Sequence, residues 1–236
     1  MAVSTTVVAV NNLEPIPEAT VARLPVYLRS LLELAASGPA TVSSVGLAEL
    51  AGVNDAKVRK DLSYLGPHGT RGVGYNVDHL IVEISRALGV TNTWPVVVCG
   101  LGNLGQALAN HTGFTDRGFP VVAAVDTDPD KIGTSIDGVT VHHPKHLAEV
   151  VTDHQIAIGV ITTPAEAAQE TVDLLVEAGV RSILSFAPAV LVAPDEIDVR
   201  SVDLSTELQI LGFHLQRQMP LRRDKAQDTG GVAESS

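Results

Sequence analysis

The chain has 236 residues, 45% of them apolar and 18% charged, with a formal net charge of −11 and a single cysteine, Cys99. That composition excludes a collagenous or low-complexity chain and an intrachain disulfide, and it leaves room for one large or two small cored domains. No apolar run reaches the roughly 20 residues that a membrane-spanning helix needs, and the opening MAVSTTVVAVNNLEP lacks the basic flank of a secretory signal, so the reducing cytoplasm is the expected compartment.

Residues 1–14 are expected to be disordered. Pro15 and Pro17 open a helix with Glu18 in its first turn, where a negative charge suits the dipole. Leu24, Leu28, Leu31, Leu32 and Ala35 follow helical spacing, and Gly38-Pro39 stops the helix. Ser43 or Ser44 caps a short helix through Leu50, which Gly52 breaks. A third helix spans about 54–65, a glycine-rich turn runs from Gly66 to Gly74, and a further helix lies near 77–88. Residues 89–95 read as a linker. The texture then changes to alternating strands and helices. VVVCG is a buried strand followed by a helix from Leu104. VVAAVD and IAIGVITT are further strands, the latter ended by Pro164, which starts a helix to Ala178; SILSF is the next strand. This rhythm implies a parallel, doubly wound sheet of Rossmann type. A last helix, about 206–217, precedes a polar tail that is expected to be disordered.

The first of these regions carries a DNA-reading pattern. The acidic charge is uneven: residues 1–90 hold seven Lys/Arg and eight Asp/Glu, a net of −1, and residues 91–236 hold nine and nineteen, a net of −10. DNA contact needs a local basic face rather than a basic protein. In LAELAGVNDAKVRKDLSYLG, Ala48 lets two helices approach, Gly52 permits a left-handed turn and Val58 packs between the helices, as in a helix-turn-helix. At about 100° per residue, Leu62 and Leu65 share a face with Val58, while Lys57, Arg59, Lys60, Ser63 and Tyr64 fall on the opposite arc. That arc suits a helix in a major groove, with Ser44 as a further DNA contact. Asp61 lies at the edge, placed to orient a neighbouring arginine or cap a contact rather than to touch phosphate. The following GPHGTRGVGYN reads as a wing. Gly69, Gly72 and Gly74 permit tight turns, Arg71 sits at the tip within reach of a minor groove or phosphate, and Gly72 lies beside it. Tyr75 either donates to phosphate or anchors the wing.

The second region carries a dinucleotide pattern. Gly100-Leu101-Gly102-Asn103-Leu104-Gly105 is GxGxxG, directly after an apolar strand and at the start of a helix, as pyrophosphate binding at a helix N-terminus requires. Asp126 ends the next strand, where a carboxylate holds ribose hydroxyls and repels a 2′-phosphate; Asp128 adds to the repulsion, so NADH or NAD+ is favoured over the phosphorylated dinucleotides. Lys131 belongs to the same predicted set. Thr162, Thr163 and Pro164 end one strand and Phe186 and Ala187 the next, positions that either border the nicotinamide or serve as ordinary strand-end turns. Another nucleotide such as coenzyme A is the alternative ligand. The rival to a DNA-binding sensor is an NAD-dependent dehydrogenase with a helical appendage, which would need a substrate-side acid or base that the sequence does not offer.

Four segments, RLPVYLRSLLEL, VRKDLSYLGPHGTRGVGYNV, VVVCGLGNLGQALAN and SILSFAPAVL, together resemble the Rex family of redox-sensing transcriptional repressors, in their actinobacterial form. The resemblance runs from about Ile16 to Gln218. It implies a winged-helix DNA-binding domain over 15–90, a Rossmann NAD(H)-binding domain over 91–203 and a C-terminal helix over 204–218 swapped between the subunits of a homodimer, with 219–236 as tail. It implies no catalysis, an operator with inverted half-sites, release by NADH, and competition by NAD+. It further implies that Asp203 is a switch carboxylate that pairs with Arg29 in the DNA-binding state. With NADH bound, the family's carboxylate turns to a tyrosine in the segment ALANY; here the segment is ALANH, so the position is His111. A neutral imidazole still donates one hydrogen bond to a carboxylate, and a protonated one forms a charge-assisted pair, so NADH release is expected to depend on pH.

Other residues are read as structural. His142, His143 and His146 form HHPKH, a solvated loop without the further ligands of a metal site. His68 is a surface residue, His214 lies at the dimer interface, and Cys99 is core rather than a redox thiol.

Overall fold

In the computed structural model, residues 15–67, 69–70 and 72–218 are described. The two expected disordered ends, His68 and Arg71 lie outside them. The chain forms two compact units, one made of the residues up to Trp94 with Gly113–Pro120, the other of Pro95–Thr112 and the residues from Val121 onward.

In the first unit, the single helix expected from Pro17 onward is two: α1 (Glu18–Val21) and α2 (Leu24–Ser37). Pro25 is the cause, since it lacks an N–H and its ring would strike the carbonyl four residues earlier in a continuous helix. Within α2, Leu24, Tyr27 and Leu31 are buried, while Leu32, expected on the same face, is half exposed. After β1 (Thr41–Val42), Ser43 caps α3 (Ser44–Ala51) by accepting from Gly46 N–H at 3.0 Å. Gly52 ends α3 in the left-handed conformation at φ 67°, and Asn54 then caps α4 (Asp55–Ser63). Strands β2 (Gly69–Thr70) and β3 (Gly74–Asn76) pair antiparallel, and β3 also pairs with β1, so the wing is a three-stranded sheet. Asn76 caps α5 (Val77–Ala87). The core joins Leu24, Tyr27 and Leu31 of α2 to Val58 and Leu62 of α4 and to Leu80 and Ile84 of α5.

The second unit holds β4 (Val96–Cys99), α6 (Asn103–Ala109), β5 (Val121–Val125), β6 (Ser135–Ile136), β7 (Val139–His142), α8 (Leu147–Asp153), β8 (Ile158–Ile161), α9 (Ala165–Glu177), β9 (Ser182–Ser185) and β10 (Asp198–Ser201); the short α7 (Thr112–Thr115) falls, beyond Thr112, in the segment that clusters with the first unit. The sheet order is β10-β9-β8-β4-β5-β7-β6, parallel throughout except for the β6–β7 hairpin. The order reverses at β4, the first strand, which lies between β5 and β8. In open parallel sheets the crevice at the carboxyl ends of such strands is where ligands bind. The four residues of β4 are all buried, as a central parallel strand requires. Helix α10 (Leu204–Gln218) follows, with Leu204, Leu208, Leu211, Phe213 and Leu215 each more than half exposed in the single chain. No helix of the described residues is long and apolar enough to cross a membrane.

Candidate functional site

The crevice beside β4 is a cleft of about 720 Å³. It brings together Gly100, Leu101, Gly102, Asn103, Leu104, Asp126, Lys131, Thr162, Thr163 and Pro164 of the predicted set. Gly105, Asp128, Phe186 and Ala187 are not among its lining residues: Phe186 N–H donates to Ile161 O at the end of the neighbouring strand, and Ala187 is buried.

Several contacts shape the glycine turn. Gly105, in the first turn of α6, faces the Gly100 carbonyl so closely that a Cβ there would overlap it, so helix and turn pack only with glycine. Gly102 is different. Its φ is −68°, which any residue adopts, and a Cβ built on it meets nothing within 4 Å. The fold does not require glycine at this position, and the backbone there faces open space. Leu101 contributes main chain only, because its side chain is fully buried. Its N–H donates to Asp126 Oδ2 at 2.6 Å, and Asp128 N–H donates to Asp126 Oδ1 at 2.8 Å. Lys131 Nζ stands 3.3 Å from Asp126 and 3.4 Å from Asp128. Burial alone would raise the Asp126 carboxyl, but the two N–H groups and the Lys131 ammonium outweigh it and hold the group below its ordinary value, so it is an anion at neutral pH.

The HHPKH segment departs from a solvated loop. His142 ends β7, and His143 caps a 3₁₀ turn (Pro144–His146) by accepting from Lys145 N–H at 3.1 Å. His143 and Pro144 line the cleft. Burial, then the charges of His154 and His146, push His142 below the ordinary imidazole value. The short strand VTVH was not legible from its sequence, and with it the approach of His143 to the cleft. Among the described residues no group of His, Cys, Asp or Glu is arranged to hold a metal ion. Cys99 is buried, and burial pushes its thiol up to about 12, so it is protonated and inert at neutral pH.

In the first unit, Val58, Leu62 and Leu65 face the core while Lys57, Arg59, Lys60 and Ser63 are exposed and Tyr64 is half-buried. Arg59 is partly committed: it donates to Asp55 at 2.6 Å and to Ser44 Oγ at 3.1 Å. Ser63 Oγ donates to Lys60 O at 2.6 Å. Tyr75 lays its ring across Gly69 and packs at the margin of the core, which favours the anchoring reading.

Asp61 is not at an edge. It is 1% exposed and accepts four hydrogen bonds: from Thr20 Oγ1 at 2.9 Å, Arg23 Nε and Nη2 at 2.7 Å each, and Tyr27 Oη at 2.7 Å. Burial would raise this carboxyl, and the donors outweigh it, so its pKa falls. Burial, then the bond to Asp61, pushes the Tyr27 phenol up to about 12. The wheel held the clue, since three residues at about 100° put Asp61 about 60° from Val58. Asp203 caps α10, accepting from Ser205 N–H at 2.8 Å and Thr206 Oγ1 at 2.9 Å; the donors hold it below its ordinary value. Arg29 on α2 and His111 after α6 are both exposed.

Two family models match: "CoA binding domain" over residues 91–189 and "Putative DNA-binding protein N-terminus" over residues 15–63. A redox-sensing transcriptional repressor Rex of Streptomyces griseus is 59% identical over 86% of this chain and 80% of its own length. A second, of Pelotomaculum thermopropionicum, is 49% identical over 85% of this chain and 94% of its own. The chain belongs to the Rex family. Among solved structures, the Rex-family repressor RSP in complex with β-NAD+ and operator DNA superposes with a TM-score of 0.83 at 35% identity, covering 87% of this chain and 94% of that one. RSP with β-NADH superposes with a TM-score of 0.79 at 34% identity. The winged N-terminal unit and the Rossmann-like sheet are therefore a Rex architecture.

Proposed function

We propose that this Rex-family chain is a cytoplasmic transcriptional repressor, not an enzyme, that grips operator DNA through its winged unit and lets go when NADH fills the cleft at the glycine turn. The observation that carries the reading is the vacant space over Gly102 beside an anionic Asp126, in a chain that also presents the basic arc of Lys57, Arg59 and Lys60 on a helix whose other face is core. The residues fit a dinucleotide. The pyrophosphate approaches the backbone of Gly100–Gly102, and Asp126 receives ribose hydroxyls while repelling a 2′-phosphate. NADH here is an occupant, and no hydride need be transferred.

The chain works as a homodimer, which places two copies of α4 in successive major grooves about 34 Å apart, on inverted half-sites. Lys57, Arg59, Lys60, Ser63 and Tyr64 read bases and phosphates, with Ser44, Arg71, Gly72 and Tyr75 contributing from the flanks. Helix α10 crosses to the partner, which covers its exposed leucines and Phe213. Asp203 then alternates between Arg29, in the DNA-binding state, and His111, when NADH is bound. Because Oδ1 keeps its bond to Ser205 N–H, Oδ2 can exchange Thr206 for either partner without uncapping the helix. By linkage, operator DNA weakens NADH binding by the factor by which NADH weakens DNA binding. The test is calorimetric titration of the full chain with NADH, NAD+, NADPH and coenzyme A. The reading expects NADH tightest, NAD+ weaker and competitive, and the other two far weaker. Preferential binding of coenzyme A would overturn it.

A further inference from the structure

Thr162 and Thr163 sit side by side at the end of β8, and both line the cleft. Their hydroxyls are in opposite situations. Thr162 Oγ1 donates to Gly100 O at 2.6 Å, with Cys99 O farther off at 3.1 Å. It also lies 2.8 Å from where a Cβ on Gly105 would be, so it fills the corner between the strand end, the glycine turn and the first turn of α6. A hydroxyl has one proton, and this one is committed within the chain. Thr163 Oγ1 is buried and has no hydrogen-bond partner among the described residues. Its backbone N and Cγ2 press on Gly100, where a Cβ would lie 2.9 and 3.0 Å from them, so the residue is seated directly against the turn. A buried hydroxyl without a partner is unfavourable, and an isosteric valine would serve packing better.

We infer that the two threonines divide the work: Thr162 is a positioning residue that shapes the glycine turn without touching the ligand, and Thr163 keeps its hydroxyl for a cofactor oxygen lying over that turn. The inference rests on the dinucleotide reading. It assigns the bond to the pyrophosphate or the nicotinamide-side ribose, not to the nicotinamide ring.

The test measures affinity for NADH, NAD+ and ADP-ribose together with the thermal midpoint of the ligand-free full chain. Thr163→Val is expected to lower affinity for all three ligands about five- to tenfold, the worth of one hydrogen bond, while the midpoint stays level or rises because an unsatisfied hydroxyl has gone. Opposite movement of affinity and stability is something a purely structural residue does not produce. Thr162→Val is expected to lower both, and Thr162→Ser, which keeps the donor, to restore both. A Thr163→Val chain with unchanged affinity and a lower midpoint overturns the inference. So does a loss for NADH without a loss for ADP-ribose, which would move the bond to the nicotinamide. Wild-type protein that binds none of the three ligands overturns the dinucleotide reading itself, a result distinct from either of these.

Discussion

Replacing Asp61 with asparagine removes the charge on which α4 is hung. Four donors converge on its two oxygens at 2.7–2.9 Å, from α1, from α2 and from Arg23 between them. Asparagine keeps one oxygen and turns an NH₂ toward two of the donors. Hydrogen bonds to a charged acceptor are worth about 1.5–3 kcal/mol each, and breaking a buried ion pair costs about 3–5 kcal/mol. The Arg23 side chain is 27% exposed and rehydrates in part, and the Tyr27 hydroxyl can rotate to accept, so the low end, about 3 kcal/mol, applies. In hydrogen exchange on the full chain, amides of α4 that open with this unit should exchange about 100-fold faster, since ~1.4 kcal/mol is tenfold. A change below about fivefold would refute the argument that Asp61 is the anchor. The pH dependence carries a sign as well. A carboxyl whose folded pKa is depressed stabilises the fold fully above its ordinary value of 3.8 and loses that contribution as pH falls through the lower folded value. The gap in urea midpoint between wild type and Asp61→Asn should therefore hold from neutral pH down to about 3.8, narrow below that, and be gone once pH has passed the lower folded value.

Three other substitutions separate the two units. Lys60→Ala should weaken operator binding by about 1–3 kcal/mol and leave NADH affinity unchanged in calorimetry; equal loss of both would contradict the division of labour. Gly102→Val should leave the thermal midpoint within about 2 °C of wild type, because its Cβ meets nothing, and lower NADH affinity at least about 100-fold, giving a repressor that holds operator at any NADH level. Asp126→Ser should shift the NADH-to-NADPH affinity ratio toward NADPH by about tenfold or more, since it removes the anion facing a 2′-phosphate and leaves Lys131 paired with Asp128 alone.

The sequence disclosed what local periodicity and motif spacing encode. Val58, Leu62 and Leu65 are core, and the basic residues of α4 are exposed, as an amphipathic wheel requires. The GxGxxG turn sits at the reversal of strand order because the strand before it is central and apolar. What stayed hidden depended on distant partners. Asp61 meets donors 34, 38 and 41 residues away, so its burial could not follow from its helix alone. Strands β6, β7 and β10 are two to four residues long and carry no period that distinguishes them from loop. The bond that commits Thr162 runs to a carbonyl more than sixty residues earlier in the chain, Thr163 Oγ1 finds no partner among the described residues, and two adjacent threonines look alike in sequence.

The most direct measurement is operator retention by the purified full chain as NADH rises, on a duplex selected from random sequence by the cofactor-free protein. Half-release should occur near the NADH dissociation constant measured without DNA, displaced upward by the linkage factor, and added NAD+ should move it higher still. Unchanged retention at NADH concentrations where calorimetry shows the cleft filled would contradict the account at its centre.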